Sequence, residues 1–204
     1  MNCFELIKTV LDKLYAAISG TAAKKDDAIK KRLELFSKQY PSLLNGVRID
    51  YKQPVSRFAY VYRYTTAHAN MVTCSIQNND TLRSLLEKEK FTVACVGGGP
   101  GSDFLGILKY LERNGGCGMR HLKCHLIDQE KAWDNCWSDL DEEIRSTGRL
   151  STHFKPIDVT DPTSYDPVEE RYMRAELFTF VYFMSELYAR KTMPGPTSRS
   201  CFEE

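Results

Sequence analysis

The chain contains no apolar run of about 18 residues or more, so no helix that would span a bilayer is predicted. No secretory leader is expected either, because Glu5, Lys8, Asp12 and Lys13 interrupt the apolar positions near the N-terminus. The seven cysteines are odd in number and lack framework spacing, which points to reduced thiols and a cytoplasmic or nuclear protein. There is no G-K-[ST], hence no nucleoside-triphosphate loop of that type, and no G-x-S-x-G nucleophile elbow. Net charge is small, +1, and unevenly spread. Residues 1–90 carry 15 basic and 9 acidic side chains, and residues 91–204 carry 13 and 18. Lys24, Lys25, Lys30, Lys31 and Arg32 form the kind of patch a nucleic acid requires. Asp26, Asp27 and Glu34 interleave with them, as on a solvated helix face, so a nucleic-acid partner is permitted but unsupported.

What is present is concentrated in residues 91–112, FTVACVGGGPGSDFLGILKYLE. A β-type segment, Phe91 to Val96, runs into Gly97, Gly98, Gly99, Pro100 and Gly101. Ser102 and Asp103 follow at a helix-capping position, and Phe104, Leu105, Leu108 and Leu111 recur at helical spacing. Strand, glycine turn and helix start together offer backbone N–H groups and a positive helix end to a ligand. The dinucleotide fingerprint G-x-G-x-x-G fails, since its third glycine would fall at Ser102 or Phe104. The spacing that fits is G-x-G-x-G at Gly97, Gly99 and Gly101.

The next segments extend the pattern. His121–Ile127 reads as a second strand closed by Asp128, one βα unit beyond the glycines. Gln129–Ile144 places Ala132, Trp133, Cys136, Trp137, Leu140 and Ile144 at helical spacing. Thr152–Ile157 reads as a third strand followed by Asp158, and LFTFVYFM, Leu177–Met184, as a buried parallel strand. This order resembles the class I, Rossmann-like S-adenosylmethionine-dependent methyltransferases over roughly residues 91–187. The resemblance implies an α/β parallel sheet, with about four strands present, and S-adenosylmethionine as cofactor. It implies cofactor contacts at Gly97, Gly98, Gly99, Gly101, Asp128, Gln129, Asp158, Val159 and Met184. Asp128 would hold the ribose and Asp158 the adenine, while Ser185 and Glu186 are positional candidates only. The methyl acceptor and the general base remain unassigned. Many family members carry an acid two residues before the first glycine; Cys95 stands there, so another group supplies that contact or cofactor binding is weakened.

Each of these residues also has a plain structural reading. An acid after a strand is commonly a helix cap, Asp158 lies among turn formers, and paired tryptophans at helical spacing usually fill a core. Residues 1–88 read as a helical extension, with helices near Phe4–Ile18, Lys24–Gln39 and Pro54–Ile76. A shorter helix, Thr81–Glu89, is capped by Asn79-Asp80, which makes the Asn79-Asp80-Thr81 sequon a cap signal. Tyr60, Tyr64 and His68 share one face and either line a cofactor-facing pocket or pack as core with a satisfied histidine. Cys117, His121, Cys124 and His125 match no common zinc spacing, and no metal is expected. The expected organisation is thus residues 1–88 helical, 89–190 an incomplete cofactor-binding domain and 191–204 a flexible tail. A shortened sheet would leave Leu177–Met184 at an open edge, inviting self-association. The alternatives are a non-catalytic cofactor-binding or regulatory module and, disfavoured by the glycine spacing, an NAD-dependent oxidoreductase.

Overall fold

Four apolar segments form one parallel sheet, and its strand order brings the glycine turn beside the fourth strand. The computed structural model describes residues 3–39, 42, 49–115, 121–138, 150–164, 170–184 and 187. Among them, β1 (Lys90–Val96), β2 (His121–Asp128), β3 (Leu150–Pro156) and β4 (Leu177–Thr179) pair in the order β3-β2-β1-β4. Every pairing is parallel. Phe91 lies opposite Leu122 and Val96 opposite Ile127, so β1 and β2 end level with each other. The chain is therefore a mixed α/β protein, as the strand pattern predicts. The order of connection reverses between β1 and β4, which opens a crevice at their carboxyl ends.

The two faces of the sheet are covered differently. On one, Phe91, Val93, Cys95, Leu122, Cys124 and Leu126 pack against helix α6 (Ser102–Arg113). Helices α1 (Cys3–Ala17) and α2 (Ala22–Gln39) lie further out, and Leu6, Ile7, Val10 and Leu14 of α1 join the core. The expected helix over Pro54–Ile76 exists as α3 (Pro54–Tyr60), a π-helical turn Val61–Thr65 and α4 (Thr66–Gln77) in unbroken succession. Helix α5 (Asp80–Leu86) is capped as predicted, with Asn79 accepting from the Leu82 amide. On the other face, Ala94, Val96, Ile127, Ile157 and Tyr172 form a smaller cluster beside the short helix α7 (Glu170–Met173).

Two predicted elements differ. The run LFTFVYFM is not one strand: β4 holds only Leu177–Thr179, after which the chain turns, with Tyr182 at φ 58°. Phe180, Tyr182 and Met184 are exposed, so hydrophobicity alone mistook a turn and the start of a helix for a buried strand. Helix α6 is capped by Gly101 at φ 85°, and Ser102 and Asp103 lie inside its first turn. The β4 edge is short, and Glu176 clasps it to β1. The Glu176 amide donates to Thr92 O, and the Thr92 amide donates to the Glu176 carboxylate at 2.8 Å. A three-residue edge offers little template for pairing with another chain. The helix after β2 begins at residue 133, and its expected continuation to Ile144 lies outside the described residues, as do Cys117 and 191–204. Cys124 lies in the larger core and His125 on the opposite face. No helix among the described residues is long and apolar enough to cross a membrane.

Helices α4 and α6 touch backbone to backbone because Gly106 has no side chain. A Cβ there would lie 2.6 Å from Ala69 O, and Thr73 Oγ1 lies 2.9 Å from both Ala69 O and Gly106 O, donating between them. Alanine gains about 1 kcal/mol in helix propensity but must force the helices apart. Gly106→Ala is expected to lower stability by about 1–3 kcal/mol in urea unfolding. A variant as stable as its parent would mean that α4 and α6 are not in this contact.

His125 faces the His153 ring at 5.6 Å, and neither of its ring nitrogens, both buried, has a hydrogen-bond partner among the described residues. Burial, aided by the positive field of Lys123, His153 and Lys155, lowers its pKa from 6.5 to about 4. The unfolded chain takes up this proton near 6.5 and the folded chain only near 4, so the stabilisation is complete above pH 6.5 and lost on acidification. The slope reaches about 1.4 kcal/mol per pH unit. His125→Leu is expected to flatten stability against pH between 6.5 and 4 in unfolding titrations; an unchanged slope would refute the assignment.

Candidate functional site

The glycine turn is built by the strand register. Gly97 N and Gly98 N both donate to Ile127 O, at 2.8 and 3.3 Å, so β2 holds the turn as β1 ends. Gly97, Gly99 and Gly101, the three positions of G-x-G-x-G, all have positive φ (65°, 46° and 85°), a conformation that side chains disfavour. Two of them also meet close neighbours. A Cβ on Gly97 would lie 2.2 Å from Phe183 Cδ2, and one on Gly101 would lie 2.5 Å from Trp137. Gly99 has room, its nearest neighbours being Trp133 at 3.7 Å and Asp128 Oδ2 at 3.9 Å.

Asp128, at the tip of β2, reaches this turn. Its Oδ2 accepts from Gly99 N at 3.0 Å and its Oδ1 from Glu130 N at 2.9 Å. The carboxylate thus staples two loops, and its charge stands at the mouth of the crevice. Asp158 follows β3 and caps its own turn, accepting from Thr160 N at 2.9 Å and Thr160 Oγ1 at 2.6 Å. Gly97, Asp128, Gln129, Asp158 and Val159 converge with Ile127, Ile157 and Phe183 on one small cavity of about 30 Å³. Five of the residues assigned from the sequence therefore meet in space. Gly98, Gly99 and Gly101 shape the turn without lining that cavity, and Met184 is exposed and outside it. Ser185 and Glu186 lie outside the described residues.

Aromatic rings carry the site round to the helical layer. Trp133 and Trp137 are buried beneath the glycine turn, as core-forming tryptophans would be. Trp133 contacts Tyr60 with centroids 5.5 Å apart, and Tyr60 contacts His68 at 6.0 Å. Tyr64 stacks on His68 at 5.8 Å and Tyr182 on its other contact at 4.5 Å, 26° from parallel. Burial lowers the His68 pKa to about 4, so this ring is neutral at physiological pH. The column of Tyr60, Tyr64 and His68 is packed core that borders the loop after β4.

Phe183 lines the cavity although the sequence pattern did not single it out, and Tyr182 and the Asp103–Thr179 bond flank the segment that carries it. Asp103 resembled a cap, and Tyr182 and Phe183 lay within an apolar run. Asp103 is buried, and its Oδ2 accepts from Thr179 Oγ1 at 2.6 Å, tying the start of α6 to the end of β4. A larger cavity, about 480 Å³, lies among Tyr15, Ile29, Leu33, Phe58 and Tyr62 of the outer helices. It carries charges of both signs, and Asp26 in its wall is taken by Tyr15 OH at 2.8 Å. Size favours that cavity, but the convergence of backbone amides and carboxylates favours the glycine turn. No protein-family model, curated protein or solved structure matches the chain.

Burial raises the Asp103 pKa from 3.8 to about 6, against the opposing pull of the Thr179 hydroxyl, the Val181 amide and Ser102. The folded chain keeps this proton up to about 6 and the unfolded chain loses it near 3.8, so its stabilisation is full below 3.8 and lost as pH rises through 6. Asp103→Asn keeps an acceptor for Thr179 without the buried charge. It is expected to be more stable than the parent at pH 7.5 by about 1–3 kcal/mol, the advantage fading towards pH 4. Thermal unfolding at the two pH values checks this, and a less stable variant at pH 7.5 would contradict it.

Proposed function

We propose that the chain is an S-adenosylmethionine-dependent methyltransferase built on a Rossmann-like parallel sheet. The observation that carries this reading is the meeting of the glycine turn and Asp128 in a crevice at the carboxyl ends of parallel strands, with Gly99 N bonded to the carboxylate. The donor set fits an adenosyl group. Gly99 leaves room for close approach, Asp128 offers acceptors for vicinal ribose hydroxyls, and Asp158 with Val159 borders the same cavity from β3. The bound cofactor would supply an already activated methyl group on a sulfonium. The protein's own work is then alignment and exclusion of water. Ile127, Ile157 and Phe183 supply the apolar walls for that exclusion.

Cys95 is fully buried, with its sulfur 3.9 Å from that of Cys124, so it makes no polar contact for the amino group of the methionine part. Its register partner on β4 is Thr179, which bonds Asp103. The buried thiols of Cys95, Cys124 and Cys136 agree with a reducing, cytoplasmic or nuclear setting. A second reading, a cofactor-binding module without turnover, is favoured by Cys95, which offers no carboxylate to the methionine part.

Calorimetric titration of the full chain with S-adenosylmethionine, S-adenosylhomocysteine and NAD tests the reading. The adenosyl sulfur ligands are expected to bind and NAD not to. Asp128→Asn, which keeps one oxygen for the Gly99 amide but loses the charge, is expected to weaken binding roughly 10- to 100-fold, the worth of hydrogen bonds to a charged acceptor. Binding of NAD alone would end the methyltransferase reading.

A further inference from the structure

We propose that Phe183 is a gate over the nucleoside pocket, held shut by the stacking of Tyr182 on His68. This rests on the reading of the glycine turn as an adenosyl site. Ligands of open parallel sheets enter at the carboxyl ends of the strands, where the order of connection reverses. Here that point lies between β1 and β4, and Phe183 occupies it. Its ring lies against Gly97, close enough that a Cβ on the glycine would fall 2.2 Å from Cδ2 and 2.5 Å from Cγ. The cavity left beside it is about 30 Å³, against roughly 300 Å³ for the smallest ordinary ligand pockets. A nucleoside and the Phe183 ring cannot share this space, so entry requires the ring to leave.

The segment after β4 turns at Val181 and Tyr182 and becomes helical at Phe183 and Met184. Its near end is fixed, because Thr179 Oγ1 and the Val181 amide both donate to Asp103. Tyr182 has φ 58°, a left-handed conformation disfavoured for a residue with a Cβ, and its ring compensates by stacking on His68 at 4.5 Å. Tyr182 and Met184 are each more than half exposed, so an outward turn of this segment starts from a face already open to solvent. Closed and open forms therefore differ by one ring stack, one strained residue and the burial of one phenyl ring. A ligand that binds only the open form shifts the population outward, and its apparent affinity is reduced by the fraction of chains that are closed.

Two substitutions separate the parts. Phe183→Ala empties the pocket. Tyr182→Asn keeps a residue that tolerates the left-handed conformation but removes the ring from His68. Association rate and affinity for S-adenosylhomocysteine are measured by stopped flow and calorimetry on the full chain. Phe183→Ala is expected to bind at least tenfold tighter and to associate faster than the parent, with Tyr182→Asn between them. In the parent, ligand is expected to speed hydrogen exchange at the amides of 182–184, because the loop is displaced. Weaker binding by Phe183→Ala would overturn the gate and make the ring a stacking platform for the base. Equal rates and affinities in all three proteins would overturn it while leaving the adenosyl site standing. If even Phe183→Ala, with its pocket open, binds no adenosyl ligand, the site reading fails and the gate falls with it.

Discussion

One hydrogen bond, from Gly99 N to Asp128 Oδ2, joins the two halves on which the site depends, and it forms because β1 and β2 end level. The parallel register sets Val96 opposite Ile127, so the glycine turn and the acid emerge at the same height of the sheet. A shift by one residue would reverse the side-chain faces of a strand and carry Asp128 away from the turn. The Ile127 carbonyl adds a second tie by accepting from both Gly97 and Gly98. Turn and acid are thus fixed by backbone geometry, independently of the segment after β4.

The helical layer is positioned by a different close contact. Gly106 lets α4 approach α6, and this places His68 where the loop after β4 can reach it. From there Trp133, Tyr60, His68, Tyr182 and Phe183 form a chain of ring contacts and sequence neighbours running from Gly99 round to Gly97. Aromatic rings suit this role because they bury large areas while tolerating alternative offset and edge-on geometries. The π-helical turn at Val61–Thr65 lies within the same stretch, between Tyr60 and His68, and such turns often occur at functional positions.

Features that cost stability gather around this crevice. Asp103 is a buried carboxyl whose charged form is disfavoured, and Tyr182 is the non-glycine residue with a left-handed backbone among those described. Thr179 and the Val181 amide join them through Asp103. Perturbed acids and strained backbones elsewhere in proteins concentrate at sites that bind or move. Asp103 lies six positions beyond Gly97, and Tyr182 precedes Phe183, whose ring packs on Gly97.

Most of the sheet was legible in the sequence because parallel strands are buried on both faces and read as short apolar runs. Phe91–Val96 and His121–Ile127 needed nothing else, and the glycine spacing marked the turn between strand and helix. Asn79 was legible as a cap because capping is decided by neighbours within a turn. The run Leu177–Met184 was misread because hydrophobicity records that a side chain is apolar, not which surface it meets. Phe183 is apolar because it sits on Gly97, and Tyr182 because it sits on His68, both contacts between residues distant in sequence. Asp103 likewise matched a local cap signal, while its actual partner is 76 positions away. The sequence by itself determined the strands, the turn and its acid, since local spacing and burial dictate those. Only the tertiary structure decided what fills the crevice, because that depends on which distant side chains the parallel register brings to one end of the sheet.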